Sequence, residues 1–222
     1  MSLRFYLYIS DGKVDQLLPQ VARSFGDRRR TEFRGGFKGL GARYEREDAA
    51  GTDRVLRLQE ALNKLEQNAD VGPVEEPRAY VHGRMAMRWD VLTAGDDSSL
   101  VFFGGRDVGT VVGLGGSVRH VVGARPDAQG HGQLSPSVLP GMLRGLRTDA
   151  HGIDAFEDGE GETDADAAEF ALWAVLRAVD ALRGPVQNVE FVAKRLLHGP
   201  VRQSEDAVPV VLGSPLYVAL TD

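Results

Sequence analysis

The sequence predicts an α+β fold, a single domain over residues 1–222 with a mixed, largely antiparallel sheet and about four to five helices. Three observations carry that expectation. Short runs such as Arg4 to Ile9 are rich in the aromatic and branched residues that suit strands. Apolar residues recur at helical spacing at Val55, Leu58, Leu62 and Leu65, and again at Leu172, Val175, Leu176, Val179 and Leu182. Ser99 to Gly104 and Thr110 to Gly115 are joined by little more than the polar turn around Arg106-Asp107, which is the spacing of an antiparallel meander.

Taken in order, the first strand at Arg4 to Ile9 ends in Ser10-Asp11-Gly12, whose side chains suit a turn or a helix cap. A helix follows to Phe25 on Val14, Leu17, Leu18 and Val21, with a kink or early stop at Pro19. Gly35 to Glu47 reads as a glycine-interrupted second strand. Thr52 caps the next helix, and Asp70 to Pro77, with two prolines, is a surface connection. Arg78 to Leu92 alternates in character and reads as a strand ahead of the meander. Ala124 to Pro136 reads as a long loop before a short helix over Val138 to Leu146. A helix over Asp164 to Arg183 stops at Gly184-Pro185. Asn188 to His198 places Val189, Val192, Ala193, Leu196 and Leu197 on one helical face, with a strand as the alternative. Val208 to Leu220 is a final strand region broken at Gly213-Ser214-Pro215. One faint internal echo links Val111 to Ser117 with Val210 to Ser214, too short to establish a duplication.

Composition narrows the function. The chain has no cysteine, which excludes disulfides, thiolate catalysis and thiolate metal sites and suits a reducing compartment. Met1 to Ser10 lacks the features of a secretory signal, and no apolar run reaches the roughly 20 residues of a membrane span. The expected location is the cytoplasm. A net charge of −6 argues against nucleic acid as a partner, and no membrane partner is expected. Charge is nonetheless uneven: Arg23 to Arg46 holds eight bases against three acids, and Asp154 to Glu169 holds eight acids and no base.

The glycine-punctuated stretch from Phe103 to Gly123 is the most distinctive. Gly113-Leu114-Gly115-Gly116-Ser117 offers backbone amides to an anion, yet Val118 breaks the dinucleotide fingerprint, no Gly-Lys follows, and Arg119 stands where a nucleophile elbow needs glycine. Ser117 and His120 are three apart, the beginning of a nucleophile and base pair; the competing reading is a serine cap and a histidine among valines. The five histidines show no metal-ligand spacing, a calcium loop from Asp154 fails at Phe156 and Ala165, and neither a metal nor a cofactor is expected. Asp11 and Lys13 follow the first strand, where α/β proteins gather ligands. Arg84, Arg88 and Trp89 form a possible cation and aromatic surface, with Trp89 better suited to the core.

Phe5 to Asp15, Met87-Arg88-Trp89, Phe102 to Gly105, Gly113 to Gly123, Phe191 to Leu197 and Leu212 to Leu220 together give a chain that resembles an uncharacterised, mainly actinobacterial domain family. The resemblance implies an accessory or sensing role beside bacterial conflict or signalling systems, and it carries over no catalytic residue. The expected function is a non-enzymatic regulatory module that binds a small molecule or a protein partner through Asp11, Lys13, Arg88, Gly115, Gly116, Ser117 and His120. A small hydrolase or transferase using Ser117 and His120 is the alternative. A third reading is a self-associating scaffold that pairs the basic window of one copy with the acidic window of another.

Overall fold

The computed structural model describes residues 4–22, 44–68, 70–94, 98–107, 109–123, 164–203 and 206–221. They fall into two compact units, one of residues 11–69 and one made from residues 1–10 together with 70–222.

The first unit is a pair of packed helices, α1 (Asp11–Ala22) and α2 (Tyr44–Gln67). Helix α1 begins at the predicted turn and runs through Pro19 without ending there. Asp11 accepts from Arg54 Nε at 2.8 Å, and Asp15 pairs with Arg57, so two ion pairs join the helices. The predicted stripe is right in α2, where Leu58, Ala61, Leu62 and Leu65 are buried. Its start is not. The helix reaches back to Tyr44, so Thr52 lies inside it and Tyr44 to Glu47 are helical rather than extended. The strong helix formers Glu45 to Ala50 outweigh the aromatic and glycine pattern before them. The rest of the expected strand, residues 35–43, lies outside the described residues, as do the loop and helix expected between 124 and 146.

The second unit is a barrel. Its strands are β1 (Phe5–Ile9), β2 (Val71–Pro73), β3 (Tyr80–Ala94), β4 (Ser98–Asp107), β5 (Thr110–Ser117), β6 (Gln187–Gln203) and β7 (Asp206–Leu220). The ladders run β3 to β4 to β5 to β7, and β6 joins β7 back to β3, closing five strands on themselves. Strands β1 and β2 are added outside the ring, on β7 and β3. Pairing is antiparallel except for β2 with β3 and β5 with β7, so the mixed, largely antiparallel sheet is as expected. Helix α3 (Asp164–Ala181) packs across the outside. The described residues hold three α-helices and one 3₁₀ turn (Val118–His120), fewer than the predicted four to five.

Strand alternation separates two apolar layers. Met85, Met87, Val101, Phe103, Val112, Leu114, Val189 and Phe191 fill the barrel interior together with Tyr8. Leu100, Phe102, Val111, Val210 and Leu212 point outward and meet Leu172, Val175, Leu176 and Val179 of α3. Glycines in the Phe103 to Gly123 stretch serve both layers. A Cβ at Gly104 would lie 2.7 Å from Leu182 and one at Gly113 2.6 Å from Val175, so both glycines let the helix approach, while Gly116 makes room inside for the Tyr8 phenol.

Three expectations fail here for identifiable reasons. Residues 188–198 are strand, not helix: side chains alternate between the two faces through Lys194, and the extra residue between Arg195 and Leu197 shifts the faces beyond it, so apolar residues from both faces fall at helical spacing. Strand β7 is unbroken through Gly213-Ser214-Pro215. Its parallel ladder with β5 ends at Gly213 and its ladder with β1 begins at Tyr217, so Pro215 falls where neither needs its missing N–H. The connection at Asp70 to Pro77 contains the short edge strand β2, whose closing Pro73 is compatible with an edge.

Candidate functional site

The meander delivers Ser117 to the end of β5, where it caps the 3₁₀ turn; its Oγ accepts from Arg119 N at 3.4 Å. His120 ends that turn half-buried, its ring edge-on to Tyr8 at 5.8 Å. Gly115 is buried and its carbonyl accepts from Ser214 Oγ at 3.2 Å. Gly116 is buried against Tyr8. The amides that resembled an anion loop in sequence thus belong to a paired strand. Asp11 and Lys13 begin α1 in the helical unit, with Asp11 held by Arg54.

Arg88 is placed differently. It projects from the outer face of β3, while Trp89 turns inward against Phe103 and donates Nε1–H to Gln187 at 2.9 Å. Strand alternation therefore divides the expected surface into outward arginines and an inward tryptophan. Arg88 Nε donates to the Gly184 carbonyl at 3.1 Å, just beyond the end of α3. Beside it, Arg106 of β4 bonds Asp180 at 2.8 Å. The last turn of α3 holds no basic residue of its own, so these two strand arginines supply the positive charge that a helix C-terminus favours.

Between them opens a cleft of about 370 Å³, its lining including Ala86, Arg88, Arg106, Val179, Asp180 and Val186. Arg88 uses one of its five N–H groups on Gly184, and Arg106 is paired with one carboxylate. Donors remain on both guanidiniums toward solvent.

A second polar constellation lies along the same outer surface. Glu190 of β6 is buried, with only 8% of its surface exposed, and receives Arg4 Nε at 2.6 Å, an Arg84 Nη at 3.2 Å and the Tyr217 hydroxyl at 3.5 Å. Burial, reinforced by the Glu190 charge, pushes the Tyr217 phenol far above its usual range, against the opposing pull of Arg4. Burial alone would lower the Arg4 pKa, but Tyr217, Tyr6 and Glu190 together raise it. Sequence reading singled out Arg84 and missed Arg4, Glu190 and Tyr217, because the ladder register that places Arg84 opposite Glu190 is invisible before the fold is known.

No helix among the described residues is long and apolar enough to cross a membrane. No curated protein and no solved structure matches the chain. A family model does match, over residues 4–222, a span that takes in every motif behind the resemblance. On that match the chain belongs to the family of unknown function DUF7019.

Proposed function

We propose that this chain is a non-enzymatic binding module, in an accessory or regulatory role in the cytoplasm, whose cleft at the end of α3 takes the anionic group of a small ligand. The observation that carries the reading is the pair of guanidiniums, Arg88 and Arg106, on one cleft with a single carboxylate, Asp180. Its volume of about 370 Å³ falls in the roughly 300–1,000 Å³ range of small-ligand sites. Arginine forks suit phosphate and carboxylate oxygens. Ser117 offers less support for a hydrolase, since its hydroxyl accepts from the backbone of the turn that follows it.

Calorimetric titration with inorganic pyrophosphate tests the proposal. Saturable binding that Arg88→Ala and Arg106→Ala each weaken about tenfold, the loss of one charged hydrogen bond, supports it. Binding indifferent to both substitutions, or none at all, rejects it.

A further inference from the structure

The cleft is one end of a longer basic track. Residues His82, Arg84, Ala86, Arg88 and Asp90 alternate onto the exposed outer face of β3. Arg84 and Arg88 stand about 13 Å apart along the strand, with the small side chain of Ala86 between them. Across from Arg84, Glu190 gathers Arg4 as well. The track therefore carries Arg4 and Arg84 at one end and Arg88 and Arg106 at the other, four guanidiniums against the carboxylates of Glu190, Asp180 and, at the far edge beyond Arg88, Asp90.

Glu190 does more than neutralise. It is buried and fixed by Tyr217, so it holds two guanidiniums at one point: Arg4 is bound through Nε, and Arg84, whose side chain is 74% exposed, through one Nη. The other Nη of Arg84 is on this largely exposed side chain, in a chain whose overall charge is −6. A positive track on an acidic protein selects for charge localised along a line.

We infer that this face binds a linear polyanion of the polyphosphate class, one end in the Arg88 and Arg106 cleft and the other on the Arg4 and Arg84 pair. The inference rests on the cleft reading and extends it. A base-bearing strand is the less suitable occupant, because single-stranded nucleic acids bind through aromatic stacking platforms. On this face Trp89 turns inward, and Tyr6 and Tyr217 pack edge to face against each other at 5.7 Å.

Calorimetry with tripolyphosphate and with long-chain polyphosphate, at constant ionic strength, separates the possibilities. Spanning both ends makes the second contact intramolecular, so the long chain binds about tenfold more tightly or better. Arg84→Ala abolishes that advantage and leaves tripolyphosphate binding unchanged, whereas Arg84→Lys keeps part of it; equal melting temperatures show that both variants are folded. Length-independent binding that still requires Arg88 and Arg106 overturns the track and spares the cleft. Loss of all anion binding from the native protein overturns both. A single-stranded oligonucleotide of matched charge that binds more tightly than polyphosphate overturns the ligand class.

Discussion

Gly113 on β5 lies directly under Val175 on α3, close enough that a Cβ on the glycine would stand 2.6 Å from the valine Cγ1. The same Cβ would lie 2.8 Å from the Phe102 ring. Gly113→Ala therefore has no room on either side and is expected to cost about 1–3 kcal/mol of stability. Removing the valine methyls relieves half of that conflict. Val175→Ala should thus be less damaging in the Gly113→Ala background than in the native chain, a coupling that urea unfolding of the four-member cycle measures. Strict additivity would show that the helix shifts freely over β5.

The Glu190 cluster predicts an asymmetry between partners. Glu190→Ala removes a buried carboxylate that receives three hydrogen bonds and should cost about 1.5–3 kcal/mol. Arg84→Ala removes a largely exposed guanidinium, screened by water, and should cost less than about 1 kcal/mol. Urea midpoints compare the two directly. Equal losses would contradict the view of Glu190 as the anchor and Arg84 as its exposed reader.

Tyr217 makes the same cluster sensitive to alkali. Its phenol is raised by burial and by Glu190, so the unfolded chain, with a tyrosine pKa of about 10, releases the proton first. The phenol's contribution is complete below that pH and is lost as pH rises through the higher folded value. Stability should fall above about pH 10 more steeply in the native protein than in Tyr217→Phe. Unfolding midpoints measured across that range, together with phenolate absorbance, give the comparison.

Ser117→Ala tests the end of β5. The hydroxyl accepts a long bond from Arg119 N at the start of one 3₁₀ turn, so its loss should cost about 0.5 kcal/mol, the low end for a cap. Pyrophosphate binding should not change. A large loss of binding with unaltered melting temperature would return Ser117 to the ligand site.

What the sequence made legible follows from how local each signal is. The meander of β4 and β5 and the stripe of α3 depend on neighbouring residues, and they stand close to where spacing placed them. Strand β6 depends on bulges and β7 on the order in which ladders end, and neither leaves a mark in a window of ten residues. Arg88 was found because arginine beside tryptophan on an alternating strand is conspicuous. Glu190 was not, since an acid within a helical reading looks solvent-facing until its strand is laid beside Arg84. The echo between residues 111–117 and 210–214 does have a structural counterpart: Val111 and Val112 pair in parallel with Val210 and Val211.

That pairing also sets an order of events. Strand β7 takes part in three ladders, with β5, β6 and β1, and Phe5 of β1 lies opposite Leu220. The ring cannot close on local contacts, and the ladder of β1 pairs residues 5–9 with residues 217–220, with Val122 N donating to the Leu7 carbonyl at 2.8 Å on the way. Such distant pairings place folding on the slow side, in milliseconds to seconds. During that interval the pairs of strands adjacent in sequence, β3 with β4, β4 with β5 and β6 with β7, are the parts of the barrel that local contacts can bring together, while the parallel ladder of β5 with β7 waits for the whole chain between them.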